Sequence, residues 1–185
     1  MIGKSTVSML LASKLLYPCI STDDIGTIFQ AISGFEPMKG QFYLDYYANT
    51  DKQKLIADMV EYHKMYEPAI LSLINGHSAP WSSPIIIEGY ALYPCQLSMI
   101  NNESVFAIWL IADDELLDNR LADDKAFYQN AKEPEKVIEN YLHRSKWYNE
   151  EVYKQCKVYN HNHIIVKKET TADEVAESIL KLLHP

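Results

Sequence analysis

The sequence predicts an α/β fold in which a parallel sheet carries helices on both faces. Short apolar runs alternate with helical patterns along the chain, and these runs show no in–out alternation. Strands buried on both faces have continuous apolar runs, and strands that alternate with helices form parallel sheets. No repeat, low-complexity tract or glycine- and serine-rich linker divides the chain, so we expect one domain over residues 1–185.

The first half of the chain supplies two of the predicted strands. Residues 5–16 have a helical pattern that Pro18 ends, and residues 18–22 form a short strand candidate. Residues 51–75 repeat apolar side chains at helical spacing, so we expect a helix there. Residues 84–89 are a continuous apolar run that ends in an acid and a glycine, which is typical of a buried strand.

The second half supplies two more strands and three more helices. Residues 105–112 predict a buried strand, and residues 113–121 an acidic helix after it. Pro134 begins another helix, at a position that tolerates proline. Residues 163–166 form the last strand candidate, and residues 171–174 have the pattern of a capping box that opens the final helix.

Composition and charge restrict the class of protein. The 185 residues are 48% hydrophobic and 23% charged, which excludes a disordered chain. A net charge of −8 argues against binding to long nucleic acids, which depends on clustered basic residues. No apolar run reaches membrane-spanning length, no basic leader opens the chain, and three scattered cysteines fit a reducing compartment. We expect a cytoplasmic protein with no membrane partner, and leave its oligomeric state open.

The strongest motif is Gly3-Lys4-Ser5-Thr6 at the start of the first predicted helix. It matches the second half of the phosphate-binding loop, the Walker A motif. Glycine admits backbone N–H groups to a phosphate, lysine neutralises phosphate oxygens, and serine is a Mg²⁺ ligand. We therefore expect all four residues to bind a nucleotide, with Ser5 also binding metal. The alternative is a serine that only caps a helix.

The order of the motifs resembles that of the P-loop small-molecule kinases. GKST is followed by STDDI at residues 21–25, by IIIEGY at residues 85–90, and by a strand that leads into an arginine-bearing helix. Residues 127–150 also resemble members of the 2-phosphoglycerate-kinase-like and polynucleotide-kinase-like group, and the likeness spans essentially the whole chain. It implies a three-layer P-loop NTPase fold with a helical lid at about residues 122–136. It also implies a kinase that uses ATP and Mg²⁺ on a small hydroxyl-bearing acceptor.

The same resemblance assigns roles to three acidic residues. Asp23 would be the base that orients or deprotonates the acceptor hydroxyl, with Asp24 as its support or as an outer Mg²⁺ ligand. Glu88, at the end of a predicted strand, would hold the Mg²⁺ shell. The alternatives are an aspartate pair that caps the next helix and a solvated strand-end glutamate. Gly26 stands where several relatives have an arginine, so an acceptor phosphate held by that arginine is not expected.

The chain has only two arginines, and helical geometry places both on apolar faces. Arg120 shares a face with Leu116 and Leu117, and Arg144 lies on the face of Tyr141. A buried guanidinium is costly unless it is paired, so both residues are candidate anion ligands. In the family, arginines that flank the lid clamp the transferring phosphoryl group, and we expect a catalytic role for both. The alternative is a structural ion pair with a carboxylate.

Two further segments have weaker signals. Lys39 could contact an anionic acceptor, or it could be an ordinary exposed lysine. The aromatic residues at 42–47 could stack on a base or sugar, although packing in the core or against the lid is the simpler interpretation.

Two alternative functions stay open, and one expectation concerns the N-terminus. The chain could be a nucleoside or polynucleotide 5′-hydroxyl kinase, or a nucleotide-binding module without turnover. The first glycine of a complete phosphate-binding loop, and the strand before it, would precede residue 1. We therefore expect that the natural protein is longer or that another segment fills the gap, and that these 185 residues alone bind ATP poorly.

Overall fold

The computed structural model describes residues 2–34, 42–100 and 102–183. Within these ranges the chain forms nine helices and four strands. In chain order they are α1 (Lys4–Leu15), β1 (Cys19–Ser21), α2 (Thr22–Ser33), α3 (Tyr43–Asn49), α4 (Lys52–His77), β2 (Ile86–Glu88), α5 (Pro94–Leu97), β3 (Ile108–Ala112), α6 (Asp114–Asp123), α7 (Lys125–Tyr128), α8 (Pro134–Tyr159), β4 (Asn162–Val166) and α9 (Ala172–Leu183).

The strands form two separate parallel pairs. β1 pairs with β2 and β3 pairs with β4, and within the described ranges no strand joins the two pairs. The structure is 65% helical. The predicted three-layer P-loop NTPase fold, with one parallel sheet covered on both faces, is therefore wrong.

The end of β3 shows a physical reason for this difference. The backbone N–H of Ala112 donates to Oδ1 of Asn149 across 2.9 Å, and Nδ2 of Asn149 donates to the Ala112 carbonyl across 2.8 Å. A side chain of α8 thus satisfies backbone groups that a neighbouring strand could otherwise pair. Apolar runs identify strands, but they do not identify which strand edges are paired.

The individual elements agree with the sequence pattern much better than the sheet does. All four strand candidates form strands, and the predicted helices at 5–16, 51–75 and 113–121 form as α1, α4 and α6. The capping box is confirmed, because Thr171 Oγ1 accepts from the Glu174 N–H and Glu174 Oε2 accepts from the Thr171 N–H. The sequence pattern does not predict the short helices α3, α5 and α7.

One apolar cluster spans both strand pairs. It includes buried side chains of α1, α6 and α9 together with those of β3 and β4, and Ile86 of β2 packs against it. An ion pair between Lys14 and Glu177, 2.8 Å apart, also joins α1 to α9. These contacts fix α1 relative to β2, and so position the residues at its first turn.

Residues 122–136, the predicted lid, include the end of α6, all of α7 and the start of α8. Phe127 of α7 packs against Tyr43 of α3 and Tyr141 of α8, with ring centroids 5.9 and 4.8 Å away. Of the aromatic side chains of α3, Tyr47 is fully buried and Tyr43 packs against the lid segment while staying 38% exposed, in agreement with the simpler interpretation. Motion of this segment stays a prediction. Across the described ranges, no helix combines the length and apolar character needed to cross a membrane.

Candidate functional site

The candidate site lies where the first turn of α1 meets the carboxyl end of β2. The Ser5 hydroxyl donates a hydrogen bond of 3.0 Å to Oε1 of Glu88. These residues are 83 positions apart in the chain. Both were expected to bind Mg²⁺, and the structure brings them into direct contact.

Lys4 lies beside this pair. Its Nζ is 3.7 Å from the centroid of the Tyr90 ring, which is cation–π distance. Burial lowers the pKa of Lys4, while the carboxylates of Glu88 and Asp23 act in the opposite direction. The Lys4 ammonium is thus partly desolvated, and two carboxylates act on it. Asp23 follows the end of β1, and Glu88 is the last residue of β2.

Gly3 is the N-cap of α1 and has a φ of 89°, in the left-handed region that favours glycine. A methyl group added to Gly3 would lie 3.4 Å from Nη1 of Arg120. Arg120, near the end of α6, therefore lies against the start of α1. Thr6 is exposed in the first turn of the same helix. The four residues expected to bind the nucleotide therefore all lie at the start of α1. The backbone N–H groups of a helix start have no partner within the helix and favour anions.

The two aspartates lie in the first turn of α2. The N-cap of α2 is Ser21, whose Oγ accepts from the Asp23 N–H across 3.2 Å, so the aspartates follow the cap as acids of the first helical turn. Asp23 acts on the pKa of Lys4. No described hydrogen bond or ion pair links Asp24 to Lys4, Ser5 or Glu88. Lys39, the other expected acceptor ligand, lies outside the described residues.

Gly26 and Gly89 hold the local backbone close to neighbouring side chains. A methyl group at Gly26 would lie 2.7 Å from the Tyr62 hydroxyl, so the space beside this glycine is occupied by Tyr62. Gly89 has a φ of 146°, and a methyl group there would lie 1.8 Å from Oγ1 of Thr22. This close approach fixes the end of β2 against the start of α2, which places Glu88 relative to Asp23.

Arg144 has an environment that the sequence did not reveal. Its guanidinium carbon lies 4.9 Å from the ring centroid of Tyr47 and 5.2 Å from that of Tyr141. No ion pair joins Arg144 to a carboxylate in the described part of the chain, and residues 35–41, which include Glu36, lie outside it. The helical spacing of Tyr141 and Arg144 on α8 predicted one of these two ring contacts, whereas Tyr47 comes from a different helix.

Tyr90 is the functional residue most clearly missed by the sequence argument. It follows the Glu88-Gly89 dipeptide, and its ring contacts the Lys4 ammonium. Burial raises the pKa of Tyr90, and the charge of Arg144 acts in the opposite direction. Its position directly after the strand-end acid was the available signal.

The candidate site offers two side-chain oxygen ligands to a metal ion, from Ser5 and Glu88. No group of three or more histidine, cysteine or acidic side chains suited to a metal occurs among the residues that the structure describes. Mg²⁺ needs no such cage, because it is commonly held by one or two protein oxygen atoms together with water and phosphates. The Ser5 hydroxyl and the Glu88 carboxylate, in contact at a helix start, fit that requirement.

Comparison with known proteins adds no family assignment. The chain matches no protein-family model and no curated protein sequence.

Proposed function

We propose that this chain catalyses ATP- and Mg²⁺-dependent phosphoryl transfer to a small hydroxyl-bearing acceptor. The observation that carries the proposal is the contact between Ser5 and Glu88 beside the Lys4 ammonium, at the first turn of a helix. A hydroxyl, a carboxylate and an ammonium group at a helix start are the groups that a magnesium-bound triphosphate requires.

The nucleotide phosphates would bind at the first turn of α1. Backbone N–H groups of residues 3–6 and the Lys4 ammonium would contact the phosphate oxygens, and the Arg120 guanidinium beside Gly3 would add planar donors. Ser5 and Glu88 would hold Mg²⁺, which when bound neutralises phosphate charge.

The acceptor would approach from the side of α2. Asp23 accepts the proton of the acceptor hydroxyl while the acceptor oxygen forms a bond to the γ-phosphorus. The bond between that phosphorus and the bridging oxygen breaks, and ADP leaves with its electron pair. The site contributes positioning and charge stabilisation, which dominate catalysis of phosphoryl transfer.

The test is ADP release measured with Mg²⁺, ATP and a panel of small hydroxyl compounds. Lys4→Ala should lower turnover about 10²- to 10³-fold, the usual scale for loss of one charge-stabilising donor. Lys14→Ala is the matched control, because Lys14 lies in the last turn of the same helix and pairs with Glu177. Turnover of Lys4→Ala within threefold of the parent would overturn the proposal. Tight ATP binding with no ADP release for any acceptor would indicate a binding module instead.

A further inference from the structure

A cluster of aromatic side chains surrounds Arg144, and we name it the arginine–tyrosine site: Arg144, Tyr43, Tyr47 and Tyr141. Tyr43 and Tyr47 stack at 4.8 Å between ring centroids, and Tyr47 and Tyr141 at 5.4 Å. The cluster is built by α3 and α8, which are joined by a hydrogen bond of 2.8 Å from Nδ2 of Asn140 to the Tyr47 carbonyl.

Two polar groups in this site are unusual for a protein interior. The half-buried Arg144 guanidinium has aromatic rings as neighbours and no carboxylate partner among the described residues. The Tyr47 hydroxyl is fully buried, and it makes no hydrogen bond of acceptable geometry in the described part of the chain. Both groups can donate hydrogen bonds, and neither has a carboxylate acceptor among the residues that the structure describes.

We propose that the arginine–tyrosine site binds a compact oxyanion, a carboxylate or a phosphate, carried by the phosphoryl acceptor. The guanidinium supplies a planar fork that fits either anion, and a tyrosine hydroxyl supplies a further donor. Tyr43 is 38% exposed, so the cluster reaches solvent at this edge. The net charge of the chain is −8, so an anion site needs a local cation, and Arg144 supplies one that has no carboxylate partner within the described ranges.

The two arginines then serve different parts of the reaction. Arg120 lies against Gly3 at the expected phosphate position, whereas Arg144 is held by the rings of α3 and α8. The Tyr90 ring contacts the Lys4 ammonium, and the charge of Arg144 also acts on Tyr90, so the two cations belong to one neighbourhood. An acceptor whose anion bonds to Arg144 would therefore extend toward Lys4 and Asp23. The assignment of the anion to an acceptor rests on the proposed function; the binding of an anion does not.

Direct binding can be measured without ATP, because the chain has only two arginine side chains. Nitrogen-15 NMR of the Nε–Hε groups gives one signal for each, and Arg120→Lys and Arg144→Lys assign them. The protein is titrated with inorganic phosphate and with glycolate, each against chloride at equal ionic strength. We expect both anions to shift the Arg144 signal saturably at millimolar concentration. Absence of a saturable shift up to about 50 mM, or an equal shift with chloride, would overturn the inference.

Tyr47→Phe removes the buried hydroxyl and retains the ring. It should raise the dissociation constants of both anions by about three- to tenfold, the usual contribution of one hydrogen bond. Tyr153→Phe is the matched control, because it makes the same change at a tyrosine of α8 that contacts His163 and Lys157 instead. The dissociation constants of Tyr153→Phe for both anions should stay within twofold of those of the parent. Equal effects of the two substitutions would overturn the role of Tyr47.

Turnover distinguishes this inference from the proposed function. With hydroxyl acceptors that carry a carboxylate or a phosphate, Arg144→Lys should raise the acceptor KM at least tenfold and leave the KM for ATP within twofold. For a neutral polyol of similar size, the acceptor KM should be the same in Arg144→Lys as in the parent. Saturable anion binding with no ADP release from any acceptor would retain the anion site and reject phosphoryl transfer. An equal rise of both KM values would overturn the assignment of Arg144 to the acceptor.

Discussion

The Ser5 hydroxyl and the Glu88 carboxylate are joined by a hydrogen bond of 3.0 Å that connects the first turn of α1 to the carboxyl end of β2. Each side chain is an oxygen ligand, and each comes from a different structural element. Because β2 is fixed against β1 and the start of α2, the position of Glu88 is determined by the fold and not by a mobile loop.

Glu88→Gln should weaken the use of Mg²⁺ without unfolding the chain. Glutamine retains an oxygen that accepts from Ser5 but loses the charge that attracts a divalent cation. We expect the Mg²⁺ concentration for half-maximal turnover to rise at least tenfold, measured by ADP release over a magnesium titration. Glu103→Gln, at an exposed position, is the control and should behave as the parent. An unchanged magnesium dependence in Glu88→Gln would remove Glu88 from the metal site.

Asp23→Asn should reduce turnover far more than ATP affinity, because the proposed role of Asp23 concerns the acceptor. Its neighbour provides the matched control: Asp24 is exposed in the same helical turn and has no described contact with Lys4. We expect a loss of about 10²-fold or more in turnover for Asp23→Asn, and a change below threefold for Asp24→Asn. A larger loss for Asp24→Asn would show that the roles of the pair are reversed.

Gly89→Ala should destabilise the fold strongly. The added methyl group would lie 1.8 Å from Oγ1 and 2.7 Å from Cβ of Thr22, and alanine disfavours a φ of 146°. We expect a loss of about 3 kcal/mol or more in the free energy of unfolding, measured by urea denaturation.

Gly76→Ala is the matched control for this substitution. Gly76 lies inside α4, and no atom lies within 4 Å of an added methyl group. Alanine should therefore stabilise the chain by up to about 1 kcal/mol through helix propensity. Equal effects at the two positions would contradict the close approach of Gly89 to Thr22.

The sequence predicted the elements and part of the site because these depend on local patterns. Helical spacing, proline and the Thr171–Glu174 capping box determine where elements begin, and the order of the motifs linked Ser5 to Glu88. The arrangement of the sheet was not predictable in this way. A buried strand has the same continuous apolar sequence whether it pairs with one neighbouring strand or with two. The amide of Asn149, which bonds to the end of β3, is distant in the chain and has no local signature.

The environment of Arg144 was also beyond local reasoning. Helical spacing correctly placed Arg144 on the face of Tyr141, but it gave no information about contacts with other helices. Tyr47 comes from α3, and the contact depends on how two helices far apart in the chain pack together. The sequence thus located a partly buried cation and could not distinguish an ion pair from a set of aromatic rings.

His63 should make stability depend on pH. Its ring is buried in α4, with Nδ1 3.2 Å from the Tyr93 hydroxyl, and burial, assisted by the charge of Arg144, lowers its pKa from 6.5 to about 4. The folded state therefore holds neutral imidazole, while the unfolded chain binds a proton below about pH 6.5. This contribution to stability is complete above that pH and is lost as the pH falls toward 4. The loss should be about 3 kcal/mol at full extent.

The measurement is urea unfolding from pH 7 to pH 4 for the parent, His63→Gln and His77→Gln. His63→Gln removes the titrating group, so its free energy of unfolding should fall less steeply over this window, whatever its value at pH 7. His77→Gln is the matched control, because it makes the same change in the last turn of the same helix, where His77 contacts the Ser83 carbonyl oxygen and not a buried side chain. This variant should retain the slope of the parent. The same slope in His63→Gln and in the parent would show that the His63 imidazole is protonated in the folded protein as readily as in the unfolded chain.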